Sequence, residues 1–294
     1  MEISELDVRV QAALISAGTT LVIFFVGWII KILYERYSLD HKLKKEYLFE
    51  QKKMIKREIA KTKVPLLNSA EEFNYRMWNF NKNIGENYHK INEENWFDSN
   101  QYYLNSFIYR FLVFMHYCIK TEEDILSMDS TVADKKDSLF LKYVKTFKNL
   151  FCDITLLKEL GYDQNDDTCH FFRNELKGFC AWVLENGKVL DFDEFVSKLK
   201  HNYKPLHKVI EYFTRIENNE TDKTLNVLWC AHLLSVSFLN NFGHSYQQNG
   251  KEKVKTLNEY YQDRLKVKGS FKEFLKSSKL YEEFSSDFKV ALKK

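Results

Sequence analysis

The chain has 294 residues and a formal net charge of +3, and apolar and aromatic residues make up 45% and 16% of it. This composition excludes a disordered chain, which would have too few apolar residues to form a core. Only 9 Gly and 2 Pro are present, whereas average use is about 7% and 5%. The scarcity excludes folds that need many tight turns, such as β-sandwiches, barrels and doubly wound sheets. We therefore expect an all-α protein without strands.

The first predicted element is a membrane helix, because residues 10–30 contain no charged side chain. About 20 helical residues cross a hydrocarbon layer of about 30 Å, so we predict a transmembrane helix over residues 10–33. Trp28 and Tyr34 then lie at the depth of the lipid headgroups. A cleaved signal peptide is the competing interpretation, but it requires a basic start and a small-residue cleavage site. Residues 1–9 are acidic, which favours an uncleaved anchor.

The charges beside this helix predict its orientation. Residues 1–9 have a net charge of −2, residues 31–63 a net charge of +6 and residues 64–294 a net charge of −1. The positive-inside rule places residues 1–9 outside and the rest in the cytoplasm, as a single-pass protein of the inner (cytoplasmic) membrane. A basic stretch beside a membrane helix suits anionic lipid headgroups better than nucleic acid. The expected headgroup contacts are Lys31, Arg36, Lys42, Lys44 and Lys45.

Residues 34–64 predict a basic juxtamembrane helical stalk with mixed charges and few apolar residues. Its broken heptad pattern leaves open whether the stalk is solvated or self-associates as a coiled coil. Pro65 is expected to end this helix, and Ser69 and Glu72 form a capping-box pattern that predicts a new helix start. Residues 65–294 form the predicted helical cytoplasmic domain, with a possible subdivision near 162–167. The five cysteines contain no CxxC pair and are expected to be reduced core residues.

The rest of the chain shows helical patterns. Residues 104–119 are strongly aromatic but include Arg110 and His116, which favours a core helix over a second or re-entrant membrane segment. Residues 137–160 have apolar residues at spacings of three and four, which predicts one amphipathic helix that ends at Gly161. Six further helices are predicted, with Asp191 and Asp222 as N-caps: 168–185, 191–202, 204–217, 222–245, 252–266 and 270–291.

Motifs for phosphate loops, zinc proteases and serine hydrolases are absent from the sequence. We therefore lean against catalysis and expect no cofactor and no metal. The weak catalytic candidates are Arg110 and His116, since helical HEPN ribonucleases carry an Arg and a His at a similar spacing. Six helical residues turn the chain by 240°, however, so these two side chains do not share a face. Two buried polar residues with core hydrogen bonds are the competing interpretation.

Three other groups of polar residues have both functional and structural interpretations. A segment with Asp163, Asp166, Asp167, Cys169 and His170 suggests either a cation site or a solvated loop, and the loop is favoured. Arg76, Arg173 and Glu175 suggest either an anion site or internal ion pairs, and pairs such as Arg76 with Glu72 are favoured. His232 and His244 are expected to be hydrogen-bonded structural residues rather than catalytic ones.

Two segments carry a family resemblance: PLLNSAEEFNYRMWNF at residues 65–80 and FRNELKGF at residues 172–179. They resemble the motifs PLL-AA-DLQSRLYNIL and FRGEQRAIGELM of a class of uncharacterised bacterial single-pass membrane proteins. The resemblance covers residues 10–245 as a pattern. It implies an N-terminal anchor, a charged stalk and a helical cytoplasmic domain, and it implies no activity.

The favoured hypothesis is a membrane-tethered helical interaction or sensor module at the cytoplasmic face of a bacterial membrane. We expect a protein partner, contact with anionic lipids and no nucleic acid. The alternative is a phage-defence or toxin-type effector that acts as a helical ribonuclease or perturbs the membrane.

Overall fold

A computed structural model describes residues 7–91, 101–126, 128–162 and 169–293. Helices account for most of these residues, which confirms the predicted all-α class. The chain divides into two compact units, Met1–Met54 and Ile55–Lys294.

The described residues contain long and short α-helices, short 3-10 helices and one small hairpin. The α-helices are α1 (Val8–Asn83), α2 (Tyr102–Ile125), α3 (Lys135–Leu150), α4 (Arg173–Cys180), α5 (Phe192–His201), α6 (His207–Thr214), α7 (Lys223–Phe242), α8 (Lys251–Arg264), α9 (Lys268–Ser277) and α10 (Tyr281–Phe288). The hairpin strands are β1 (Leu184–Glu185) and β2 (Lys188–Val189), and the 3-10 helices cover Ile84–Glu86, Ser130–Val132, Ile154–Leu160, Ala181–Val183 and Lys204–Leu206.

The first unit is helical from Val8 onward and has no buried residue among those described. Asp7 begins the helix, since its Oδ1 accepts a hydrogen bond from the Arg9 N–H at 3.0 Å. The apolar stretch that follows is long enough to cross a membrane and is exposed throughout. It is the single helix of this kind among the described residues. Apolar side chains that find no protein partner are expected to bind a lipid or a protein surface.

The second unit has a core dominated by phenylalanine. Helix α2 lies at its centre and packs against α3, α4, α5 and α6. Phe107 and Phe111 of α2 are fully buried, and their rings lie 4.5 Å and 5.3 Å from the ring of Phe213 on α6. Most apolar side chains of this aromatic segment are therefore buried inside the unit, as the core-helix interpretation requires.

Helix α7 packs against α3 and is buried along most of its length. Its first turn is capped by Asp222, whose Oδ1 accepts a hydrogen bond from the Leu225 N–H at 2.7 Å. Asp191 caps α5 in the same way at 2.8 Å, and Glu194 completes a capping box. Both predicted N-caps are confirmed.

The prediction that Pro65 ends a helix is wrong, because α1 continues through it to Asn83. The proline has no N–H and cannot bond to the carbonyl four residues earlier, which normally breaks a helix. Here Leu66, Leu67 and Ala70 directly after it are buried in the core, and this packing holds the helix together. Ser69 is consequently not an N-cap, and its hydroxyl donates to the Leu66 carbonyl at 2.9 Å.

Two predicted long helices are each divided, and the predicted helix 168–185 is reduced to α4 and a 3-10 helix before β1 begins at Leu184. The 137–160 segment becomes α3 and a 3-10 helix, because the Asp153 side chain accepts from the Thr155 N–H at 2.9 Å and starts a new element. Gly161 still ends that element in the left-handed conformation. The 270–291 segment is divided by a Schellman motif, in which Lys279 has φ 55° and the Leu280 N–H donates to the Leu275 carbonyl.

The prediction that the protein has no strands is corrected by one short hairpin, in which two residues of β1 pair with two residues of β2 in antiparallel orientation. Leu184 pairs with Val189 and Glu185 with Lys188. The turn between them is Asn186-Gly187, and both residues have positive φ. An Asn-Gly dipeptide favours this type of turn, so the sequence did contain the signal for the hairpin.

Candidate functional site

The candidate site is a cleft in the second unit between α1 and α2, which we call the arginine–tyrosine cleft. Its volume is about 480 Å³, within the size range of small-molecule sites. Its lining is mainly apolar, with a few polar groups, and consists of Val64, Pro65, Asn68, Ser69, Glu72, Tyr102, Ser106, Tyr109, Arg110, Val113, Tyr117 and Phe192.

Helical spacing explains the contribution of α2. Tyr102, Ser106, Arg110, Val113 and Tyr117 follow one another at intervals of three and four residues, so they lie along one face of the helix. The opposite face of α2 is buried in the phenylalanine core. The core therefore fixes which residues α2 presents to the cleft.

The same spacing applies to α1, where Asn68, Glu72 and Arg76 are four residues apart. Because α1 continues through Pro65, these residues remain in one helix and in register with those of α2. The helix break that was incorrectly predicted at Pro65 would have left Pro65 outside the helix that carries these residues.

Arg110 forms the polar centre of the cleft. Its Nη2 atom lies 3.0 Å from the Glu72 carboxylate, and the Arg110 side chain is 19% exposed. Its guanidinium also lies 5.8 Å from the Tyr75 ring centroid. The other terminal nitrogen, Nη1, is buried and has no hydrogen-bond partner among the described residues. A buried guanidinium N–H without an acceptor costs about 1–3 kcal/mol or more, so it would gain from a ligand acceptor.

Arg76 lies beside this centre and is only 5% exposed. Its Nη2 donates to the Ser106 hydroxyl at 2.6 Å, and its guanidinium lies 4.6 Å from the Tyr103 ring centroid. Its Nε is buried without a partner. Burial lowers the pKa of Arg76, and the positive charge of Arg110 acts in the same direction. Among the described residues, no carboxylate forms an ion pair with Arg76.

The far end of the cleft is aromatic. Tyr109 donates a hydrogen bond to the Leu190 carbonyl at 2.7 Å, and its ring lies 5.6 Å from the Phe192 ring. Burial raises the pKa of Tyr109, and the nearby negative charges of Asp191 and Glu194 also contribute. The cleft is therefore positive at its arginine end and carries negative charge near its tyrosine end.

This arrangement can bind an amphipathic anion. Ser106 accepts from Arg76, so the Ser106 hydroxyl hydrogen is free to donate to a group in the cleft. Arg110 supplies a second donor one helical turn further on. The polar lining residues are Asn68, Ser69, Glu72, Ser106 and Arg110, together with three tyrosines.

The two candidate catalytic residues lie in different surroundings. Arg110 lines the cleft, whereas His116 is half-buried and does not line it. Burial lowers the pKa of His116, and its nearest charged neighbours include Lys120 and Glu123. The structure thus agrees with the helical geometry, which predicted that the two side chains point in different directions.

The predicted pairing of Arg76 with Glu72 is wrong, because Glu72 binds Arg110 instead. Glu175 likewise contacts Lys208 at 2.8 Å rather than Arg173, and its carboxylate also accepts from the Phe172 N–H. Arg173 is exposed. Long charged side chains can pair with residues of other helices, and the sequence does not specify which helices are adjacent.

The predicted alternatives of a cation site or a solvated loop concern Asp163, Asp166 and Asp167, which lie outside the described residues. The two described members of that segment, Cys169 and His170, are both buried. Within the described ranges no group of three or more His, Cys, Asp or Glu residues could hold a metal ion.

His232 belongs to a buried polar network between α1, α7 and α8. Its Nδ1 lies 2.8 Å from the Tyr261 hydroxyl and 3.1 Å from the Asn81 amide nitrogen. Asn81 also accepts from the Trp229 ring nitrogen at 3.2 Å. Burial lowers the pKa of His232 to about 3, so the ring is neutral and suited to a structural role. His244 follows α7, where its N–H donates to the Gln247 side chain.

Arg76, Arg110 and Glu72 are all candidates from the sequence, but Glu72 was predicted to pair with Arg76 rather than Arg110, and Ser106 was not predicted as a partner of Arg76. The sequence does contain a signal for the cleft, namely polar residues spaced four apart on two helices. This spacing indicates a shared site only if the two helices are neighbours, which the structure shows.

No protein-family model matches the chain, and neither the curated proteins nor the solved structures contain a significant match to it.

Proposed function

We propose that the chain is a membrane-tethered helical interaction or sensor module that holds a ligand-binding domain at the cytoplasmic face of a bacterial membrane. The proposal rests mainly on one observation. An uncharged stretch at residues 10–30 contains no buried residue, while the described residues of the second unit form a buried core. The arginine–tyrosine cleft supports the ligand-binding part of the proposal.

The basic residues after the apolar stretch support the proposed orientation. Lys31, Arg36, Lys42, Lys44 and Lys45 are all exposed, and Lys31 lies 3.9 Å from Glu35. Each basic residue near an anionic bilayer contributes about 1 kcal/mol of binding. These five residues are proposed to contact lipid headgroups, and the stalk remains a candidate for self-association.

The membrane part of the proposal is tested by two double variants of the full chain. Phe24→Arg with Phe25→Arg places charges in the middle of the apolar stretch, at about 2.5–3.5 kcal/mol each for insertion. Leu39→Arg with Leu43→Arg makes the same change in the stalk. We expect the first variant to leave the membrane fraction after carbonate extraction and the second to remain there. Equal extraction of both variants would contradict the proposal.

The orientation is tested with terminal tags on the full chain. We expect a tag before residue 1 to be cleaved by protease added to the outside of spheroplasts, and a tag after residue 294 to be protected. Protection of the first tag and cleavage of the second would reverse the proposed topology.

The partner is tested by cross-linking in cells followed by purification of the full chain. We expect reproducible recovery of a protein partner that is lost when residues 55–294 are removed. Recovery of no reproducible partner would argue strongly against the interaction part of the proposal.

The alternative effector function stays a prediction. Its ribonuclease form needs Arg110 and His116 to act together, whereas Arg110 pairs with Glu72 in the cleft and His116 lies outside the lining. RNA cleavage by the purified full chain that disappears in His116→Ala would favour it.

A further inference from the structure

The described charges at the arginine end of the cleft are unevenly paired. Arg110 in the lining pairs with Glu72, whereas Arg76, which lies beside the lining and is 5% exposed, has no carboxylate partner among the described residues. A single negative charge on a ligand at this end would therefore face a positive charge that no described carboxylate neutralises.

Two hydrogen-bond donors are positioned for that ligand charge. Arg110 Nη1 is buried without an acceptor, and Ser106, which accepts from Arg76, has its own hydrogen to donate. They are four residues apart on one face of α2. Residues four apart on a helix have Cβ atoms about 5–6 Å apart, so one carboxylate can accept from both side chains.

The rest of the cleft favours an aromatic body. Tyr102, Tyr109, Tyr117 and Phe192 supply ring surfaces, and Val113 and Pro65 fill the space between them. Aromatic rings bind one another in stacked or edge-to-face arrangements. Asp191 and Glu194 lie near Tyr109, so this end would repel a second negative charge.

We propose that the cleft binds a small aromatic monocarboxylate. The carboxylate accepts hydrogen bonds from Arg110 and Ser106, and the ring lies among Tyr102, Tyr109 and Tyr117. A phosphate monoester is disfavoured because it carries about −1.5 to −2 charges at neutral pH, and its second charge would be repelled by the carboxylates of Glu72, Asp191 and Glu194 around the cleft. This inference rests on the ligand-binding part of the proposed function and does not depend on the membrane part.

The test measures binding of two probes, 3-phenylpropionate and indole-3-acetate, to the purified full chain in detergent by isothermal titration calorimetry. Their uncharged amides and 2-phenylethyl phosphate serve as comparison compounds. We expect at least one carboxylate to bind with a Kd below about 1 mM. Its amide and the phosphate are expected to bind at least about tenfold more weakly, which corresponds to the loss of about 1.4 kcal/mol.

Two variants locate the binding, and one variant serves as a control. Arg110→Gln removes the free donor and is expected to weaken carboxylate binding at least about tenfold. Val113→Trp fills the cleft without changing its charge and is expected to have the same effect. Arg215→Gln makes the matched change at an exposed arginine of the second unit and is expected to bind as the unchanged chain does. Circular dichroism of each variant checks that it is folded.

The proposal is overturned if neither carboxylate binds, if the amide or the phosphate binds as tightly as the carboxylate, or if both cleft variants bind normally. Membrane extraction of the same preparations is measured independently. Loss of insertion with intact carboxylate binding would reject only the tether, and insertion without carboxylate binding would reject only the ligand.

Discussion

The two units use apolar side chains in opposite ways. Phe24 and Phe25 of the first unit are 66% and 56% exposed, while Phe107 and Phe111 of the second are fully buried. The residue type is the same, so the difference lies in the surroundings. In the second unit other side chains remove the ring from water, whereas in the first unit a lipid phase would have to do so. The helix of the first unit therefore depends on its backbone hydrogen bonds and on the solvent or lipid around it. The helices of the second unit are stabilised by packing against one another.

The largest expected effect on the free energy of unfolding comes from making the same Phe→Ala substitution in each of the two units. Phe111→Ala removes a fully buried ring that lies 4.9 Å from the Phe151 ring, and we expect it to lower the free energy of unfolding by about 3–5 kcal/mol. Phe24→Ala should leave the unfolding of the second unit unchanged. Denaturant unfolding of the full chain in detergent, followed by tryptophan fluorescence, measures both. Similar losses in the two variants would remove the distinction between the units.

The next effect concerns the polar part of the core. Asn81→Leu leaves the Trp229 ring nitrogen without its acceptor, which should cost about 1–3 kcal/mol. Asn83→Leu is the matched control, since the described hydrogen bond of the Asn83 side chain lies within its own helix, to the Asn79 carbonyl. The same unfolding experiment applies. An unchanged stability in Asn81→Leu would mean that the network does not contribute to the packing of the second unit.

A pH dependence follows from the buried His232. Its pKa is about 3 in the folded protein instead of the ordinary 6.5, so below pH 6.5 the unfolded chain binds a proton that the folded chain does not. Stability should therefore be unaffected by this group above about pH 6.5 and fall by about 1.4 kcal/mol per pH unit below it. Burial also lowers the pKa of His89, which adds to the slope.

The variant His232→Gln isolates the contribution of that ring. We expect its unfolding free energy to fall less steeply between about pH 6 and pH 4 than that of the unchanged chain. His41→Gln, in the exposed first unit, should keep the original slope. Identical slopes in all three proteins would show that His232 titrates normally in the folded state.

The smallest effect compares two helix caps. Asp191→Ala removes the capping box of α5, a ten-residue helix that needs its cap, and should cost about 1 kcal/mol. Asp7→Ala removes the cap of α1, outside the second unit, and should not change its unfolding. A thermal melt followed by circular dichroism compares the two, and a larger shift for Asp7→Ala would contradict the separation.

Local signals predicted much of the fold. The caps at Asp191 and Asp222, the end at Gly161 and the core position of α2 depend on neighbouring residues or on a 3.6-residue period, and the structure has all of them. Two failures, the helix end at Pro65 and the pairing of Arg76 with Glu72, depend on residues far away in the chain, since core packing stabilises the helix through Pro65 and Arg110 of α2 binds Glu72 of α1. The failures at Asp153, Lys279 and the Asn186-Gly187 turn concern local bonds and turns that the prediction did not use.

The sequence by itself determined the helical class, the exposed apolar stretch at residues 10–30 and the concentration of positive charge directly after it. These properties follow from the composition, charge and spacing of residues that are close together in the chain, so they do not depend on contacts between distant segments. Only the tertiary structure decided that Glu72, Ser106 and Arg110 share one cleft and that Arg76 lies beside it, bonded to Ser106. A binding site combines faces of separate helices, and the contacts that bring those faces together are made by the buried residues behind them.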